Sequence, residues 1–297
     1  MNILATRIRD LVQICRDSTR LTECTKEKDL IVSLLNLSTP IIGSISQYSG
    51  EFNGDGISSC TTMAIFTSLK LLEILNKKEF NEIKPEFIDS NVRSSYVLFK
   101  SKTNDVESHQ DVDTVINDHN LFTLFHGYMD GFMNGLNNLN DLNSSIINIY
   151  TDELNNLGQS FDNIDKTKYV SLVITKGVET FAILIPPNKL NLPFFLFDSH
   201  PRTNLDGSYI ICFYSEKNLF DYLSNNIMKK IGTSLTIDDH KNIDTLKERR
   251  IALESMKDGK IKNKSEIEKI KLEIEIFNQV SLQETKLDSY TINAFQV

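Results

Sequence analysis

A thiol, an imidazole, a carboxylate and a carboxamide stand in this sequence where each could serve acyl transfer. Cys60 lies where a glycine-rich loop, with four glycines between residues 43 and 59, meets an apolar run. The dipole and N–H groups of a helix N terminus favour a thiolate, so this is a nucleophile's position. His200 and Asp198 end the apolar strand signal FFLFDSH. Side chains at i and i+2 of a strand project from one face, so Asp198 can orient His200 and fix its tautomer. Gln47 precedes Cys60 by 13 residues in the same loop, where its amide NH2 can join the Cys60 backbone N–H as donors to an oxyanion. Taken singly, each has a plainer reading: a small buried cysteine in a first helical turn, a polar strand end entering a loop at Pro201, a glutamine on a surface.

The surrounding elements must bring these groups together. Ile8, Leu11, Val12 and Cys15 fall at i, i+3, i+4 and i+7, and a second apolar cluster runs through Leu30, Ile31, Leu34 and Leu35. Both predict helices, closed by Pro40. The run from Cys60 to Asn76 is apolar on most of its circumference and predicts a buried central helix, with Ser58 and Ser59 available as N-caps. Residues 77–110 are polar and mixed, while residues 111–160 resume a helical period through Leu121, Phe122, Leu124 and Phe125 before an Asn-rich loop at 134–148. Strand signals follow at 168–175, 179–186, 193–200 and 208–215 with turn residues between them, the pattern of an antiparallel meander. After Asp221 helix returns, and Ile267, Ile270, Ile274 and Phe277 space a helical hairpin broken near Asp258 and Gly259. The order predicts an α+β fold, with a helical extension over 1–40, a central domain over 41–235 that carries Gln47, Cys60, Asp198 and His200, and a C-terminal helical hairpin over 236–297.

Gln47 in SISQYS, then GDGISSCTTMA entering a helix, then an apolar strand ending in Asp198-Ser199-His200, together resemble the herpesvirus tegument deubiquitinases and their tegument-like relatives in bacteria and eukaryotes. The resemblance covers roughly residues 40 to 215 and rests on two short motifs and their order. It implies a papain-like cysteine peptidase fold, with a central nucleophile helix packed on an antiparallel sheet and helical N- and C-terminal extensions. It also implies cleavage after the C-terminal glycine of ubiquitin or a ubiquitin-like modifier, with ubiquitin or polyubiquitin as partner and no cofactor. By carry-over Cys60 is the nucleophile, His200 the general base and then acid, Asp198 its orienter and Gln47 the oxyanion donor. The segments at 1–40 and 221–297 lie outside the resemblance, and no loop that would grip the modifier's tail is identifiable in the sequence. From the residues alone, two other readings stay open: a cysteine protease or acyltransferase for another substrate, and a non-catalytic interaction protein whose terminal helices bind a partner.

Composition narrows the classes further. With 40% hydrophobic and 24% charged residues in 297, the chain can bury a core. It carries 32 basic against 40 acidic residues, a net charge of -8 without a basic block, which argues against nucleic acid as partner. The mild acidic balance suits an Arg-bearing modifier tail. Arg7, Arg9 and Asp10 interrupt the place where a secretory leader needs its apolar core, and no apolar run approaches membrane-spanning length, so neither export nor membrane insertion is expected. Four cysteines without a CxxC pair argue against a disulfide framework or a zinc knuckle and predict a reducing compartment, cytoplasm or host-cell cytosol. Cys15 and Cys212 read as packing residues. His109 and His119, near Asp111, Asp113 and Asp118, lack a fixed ligand spacing and read as solvated surface, with no metal role. His126 reads as a structural histidine on an apolar helix and a reserve general base. Residues 243–280 alternate basic and acidic residues around an isoleucine stripe, which suits a solvated helix or a ubiquitin-docking arm. Oligomeric state is not legible.

Overall fold

In a computed structural model, residues 3–16, 20–53, 55–103, 109–132, 164–177, 179–187, 191–202, 204–227 and 289–297 are described. Nearly all belong to one unit, residues 1–228 with 290–297. The expected hairpin around 267–277 and the Asn-rich loop at 134–148 lie outside the described residues.

The apolar run after Cys60 forms helix α3 (Cys60–Lys77), buried on most sides from Cys60 to Leu75, as its all-round hydrophobicity requires. Beside it packs α4 (Pro85–Lys102), which begins with Pro at the first helical position and buries Ile88, Val92, Ser95 and Phe99. Those four positions recur at intervals of four, three and four, one face of a helix within the stretch that reads as polar and mixed. α5 (Val112–His119) is capped by Asp111, whose carboxylate accepts from Thr114 N.

The described strands are β1 (Ile41–Ile42), β2 (Phe125–Phe132), β3 (Val170–Lys176), β4 (Glu179–Ile185), β5 (Phe194–Asp198), β6 (Tyr209–Phe213) and β7 (Ser289–Phe295). They form one sheet in the order β1-β6-β5-β4-β3-β7-β2. The consecutive strands β3 to β6 pair antiparallel, the expected meander. One face carries Val173, Ala182, Leu184, Phe195, Phe197 and Ile210 into the core shared with α3. The other carries Leu172, Ile174, Phe181, Ile183, Leu196 and Ile211 into a second core with Leu219 of α6 (Glu216–Tyr222). Burial of both faces is why these strands read as continuous apolar runs rather than as alternation.

Four expectations are corrected. Phe125, taken with a helical period, opens strand β2, so among the described residues of 111–160 the α-helical pattern holds for α5. The chain's last residues, placed in a helical hairpin over 236–297, include β7, which pairs with β3 through Ile292 opposite Ile174. Helices α1 (Ile3–Cys15) and α2 (Leu21–Asn36) form as expected, but Ile8 and Val12 on the presumed buried face of α1 are 44% and 49% exposed. Arg7 is the residue buried there, donating to Glu27 at 2.7 Å and to the Asn191 carbonyl at 2.6 Å. Cys15 is not a packing thiol: it is joined to Cys24 by a disulfide between the two helices, contrary to the expectation of reduced cysteines. Among the described residues no helix is long and apolar enough to cross a membrane.

Candidate active site

The loop from Gly43 to Ser59 is irregular but tied at many points. Asp89 of α4 accepts hydrogen bonds from Ser44 N at 2.8 Å, Ser44 Oγ at 2.6 Å and Ile45 N at 3.3 Å. Gly43 N donates to the Ser208 carbonyl and Ser208 N to the Ile45 carbonyl, which ties the loop to the turn before β6. That approach needs Gly207, because a Cβ there would stand 2.1 Å from the Gly43 carbonyl oxygen. Gly56 is needed for the same reason: its Cβ would meet the Gln47 carbonyl oxygen at 2.1 Å. Two 3-10 turns, Gly50–Phe52 and Asp55–Ser58, then deliver the chain to Cys60.

Ser59 occupies the N-cap of α3 but makes no side-chain cap. Its hydroxyl instead donates to the Gly56 carbonyl at 2.6 Å. Cys60 thus stands at the first position of α3, at the positive end of the helix dipole.

On the facing side, β5 ends at Asp198, whose carboxylate takes four hydrogen bonds. They come from His200 Nδ1 at 2.6 Å, His200 N at 2.9 Å, Arg202 Nε at 2.9 Å and the Tyr209 hydroxyl at 3.0 Å. Arg202 also grips Glu179 with two bonds, at 2.8 and 3.2 Å, and Tyr222 donates to the Tyr209 hydroxyl at 3.1 Å. Burial alone would push the Asp198 carboxyl up, but His200 and Arg202 overcome it and hold the carboxyl below its ordinary range. For His200, burial opposes the charge, yet Asp198 and the Cys60 sulfur raise its pKa well above that of an ordinary imidazole. The edge of the half-exposed Tyr48 ring meets the His200 ring, with centroids 6.1 Å apart.

Gln47, buried in the loop, is held by Ser199 twice. Its N–H donates to the Ser199 carbonyl at 3.3 Å, and its Oε1 accepts from Ser199 Oγ at 3.0 Å. Engagement of Oε1 by Ser199 fixes which end of the amide is the oxygen.

Cys60, Gln47, Asp198 and His200 are all buried, none more than 2% exposed. Two imidazoles, His200 and His109, favour the thiolate form of Cys60. Burial opposes ionisation, but these two partners prevail and lower the thiol from 9.0 to about 6. Cys212 shows the contrast: buried in the sheet core, its thiol is pushed up to about 12. Sequence reasoning took His109 as solvated surface; it is exposed, and the Cys60 thiol raises its pKa above that of an ordinary imidazole. Arg202, Tyr209 and Tyr222 were also missed, although Arg202 stands only four residues after Asp198. His119 meets the edge of Phe66, and His126 lies on strand β2, not on a helix.

The described arrangement combines a thiol of lowered pKa at a helix N terminus, a buried imidazole hydrogen-bonded to a carboxylate, and an amide held by Ser199 in the loop that leads to the helix. Those are the parts of a cysteine-based acyl transfer site. No protein-family model matches the chain, and no curated protein matches it. Among solved structures it is similar to the ubiquitin-specific protease encoded by a murine cytomegalovirus tegument protein, in complex with a ubiquitin-based suicide substrate. The two share 13% identity with a TM-score of 0.35, over 63% of this chain and 78% of that one.

Proposed function

We propose that this chain is a thiol-dependent deubiquitinase with a papain-like arrangement of helix and sheet. The observation that carries the chemistry is a buried His200 that Asp198 holds at 2.6 Å, the imidazole that helps lower the Cys60 thiol to about 6. Ubiquitin as acyl donor is supported by the order of the motifs around Gln47, Cys60 and Asp198-Ser199-His200. It is supported too by the 1% exposure of Cys60, since a recessed sulfur is reached by a thin glycine-ended chain more readily than by one bearing Cβ atoms.

The steps follow from the residues. The Cys60 thiolate attacks the carbonyl carbon of the terminal glycine, forming a C–S bond while the carbonyl π electrons move to oxygen. The Gln47 amide NH2 and the Cys60 backbone N–H stabilise that oxyanion. The intermediate collapses, the C–N bond to the lysine amine breaks, and the His200 imidazolium gives that amine its proton. Neutral His200 then takes a proton from water as the oxygen attacks the thioester. Expulsion of the Cys60 thiolate beside protonated His200 restores the starting pair.

The decisive experiment incubates the full chain with ubiquitin bearing a C-terminal propargyl group. Wild-type protein is expected to gain the mass of one ubiquitin, and Cys60→Ala none. A wild-type protein that gains nothing overturns ubiquitin as the acyl donor.

A further inference from the structure

The buried face of α4, formed by Ile88, Val92, Ser95 and Phe99, has a twin one residue further along the chain. Asp89, Arg93, Tyr96 and Lys100 repeat the spacing of four, three and four, so they form a second stripe on the same helix, turned about 100° from the first. All four reach the loop between Gly43 and Ser59, and their partners follow the order of the chain. Asp89 accepts from Ser44 and Ile45, as described above. Arg93 forks onto Glu51, with Nε 3.0 Å from Oε1 and Nη2 3.2 Å from Oε2. Tyr96 stacks on Phe52 with centroids 4.3 Å apart, and its hydroxyl donates to the Phe52 carbonyl at 3.4 Å. Lys100 donates to Asp55 at 2.8 Å. Residues 44–55 are thus laid along about 16 Å of helix, less than half the roughly 36 Å that the same steps span when extended.

The far end of this stripe leads to the reacting groups. The buried Phe52 ring lies against Gly56: a Cβ at Gly56 would stand 2.9 Å from Phe52 Cδ2 and 2.1 Å from the Gln47 carbonyl oxygen. Gln47 is therefore backed by Gly56 and bound by Ser199. Both ion pairs of the stripe lie at the surface. Exposed pairs add little to global stability. These act on a segment of loop and 3-10 turns, where a small free energy sets how often the segment opens.

We propose that Arg93 and Lys100, with Tyr96 between them, are positioning residues for the acyl transfer: they hold Glu51, Phe52 and Asp55 on α4, so that Gly56 keeps Gln47 where the oxyanion forms. They act through the loop and not on the reacting atoms. The inference rests on the catalytic roles of Gln47 and Cys60 proposed above, but not on ubiquitin as the acyl donor.

The test pairs amide hydrogen exchange with steady-state kinetics on the full chain. Arg93→Gln/Lys100→Gln removes both charges and leaves the core face of α4 untouched. Exchange of the amides that fasten the loop, those of Gln47, Ser49, Phe52, Asn53 and Ser59, should quicken by about three- to tenfold, the combined effect of two exposed pairs. Amides between β3 and β4 should exchange as in the wild type. Lys217→Gln, which breaks an exposed pair with Asp221 on α6, should leave the loop unchanged. Glu51→Arg alone should quicken loop exchange, whereas reversal of both pairs, Arg93→Glu/Glu51→Arg with Lys100→Asp/Asp55→Lys, should restore it. On a ubiquitin amide substrate, kcat of Arg93→Gln/Lys100→Gln should fall by a similar factor with KM held, and the reversed pairs should bring it back. Loop exchange at the wild-type rate in Arg93→Gln/Lys100→Gln, quickening that the reversed pairs do not restore, or quickening with kcat unmoved overturns the proposal. The exchange measurement needs no ubiquitin. In a protein that refuses the ubiquitin warhead, quickening restored by the reversed pairs supports the hold of α4 on the loop and overturns only the choice of acyl donor.

Discussion

Asp198 concentrates the electrostatics of the site. A fully buried carboxylate is costly unless paired and hydrogen-bonded, and here His200, Arg202 and Tyr209 supply the partners. The anion in turn raises His200, and His200 with His109 lowers Cys60. The sign of the pH dependence follows. In the proposed mechanism the Cys60 sulfur is protonated and inert below about 6; above it the thiolate forms while His200, whose pKa is raised, keeps its proton. Activity then falls as pH rises through the His200 value, because no acid remains for the leaving amine. A kcat/KM profile on a ubiquitin amide substrate should therefore rise with an apparent pKa of about 6 and fall on the alkaline side. An acid limb near that of an ordinary thiol would contradict the ion pair. Neither Arg202 nor Tyr209 touches Cys60 in this scheme; they act by keeping Asp198 ionised and fixed.

At the scale of elements, the glycine-rich loop and the first turn of α3 behave as one part. Gly56 lies against the backbone of Gln47, so its lack of a side chain sets where the amide stands. Gly56→Ala should push Gln47 away from the sulfur and lower kcat on the order of 10²-fold, as small misplacements of catalytic groups do. The Cys60 thiolate absorbance midpoint should stay near the wild-type value, since neither imidazole is displaced. Steady-state kinetics and a pH titration of that absorbance on one preparation separate this from general misfolding. The loop and α3 were legible because glycine clusters and an all-round apolar run are local signals. α4 was not, because its core face of Ile88, Val92, Ser95 and Phe99 includes a serine and is diluted by polar neighbours. Ser59 was expected to cap α3, yet the preceding 3-10 turn offered its hydroxyl the Gly56 carbonyl instead.

For the whole molecule, the return of the C-terminal residues matters most. β7 lies between β3 and β2 in the sheet order, with Ile292, Ala294 and Phe295 fully buried. Phe295 packs in the α3-side core and meets Phe125 edge-on, with centroids 5.7 Å apart. Phe295→Ala should cost about 3 to 5 kcal/mol, the usual range for truncating a core aromatic, read as a lowered urea midpoint of the full chain. A change near zero would mean that the terminal residues are dispensable to the catalytic unit, as a separable C-terminal hairpin would make them.

The sequence by itself determined the features whose signals are local. These are the apolar helix opened by Cys60, the loop that carries Gln47, the meander of both-face-buried strands, and the i, i+2 relation of Asp198 and His200. Each is written in a window of a few residues, where helical or strand periodicity and turn chemistry act. Tertiary structure alone decided the pairing of groups far apart in the chain. It seated Tyr209 on Asp198, returned β7 to β3 and buried Arg7 of α1 in place of Ile8 and Val12. Periodicity marks which face of a segment prefers burial, but the partner on that face is chosen by long-range packing and by the need to satisfy every buried polar group, which no local window contains.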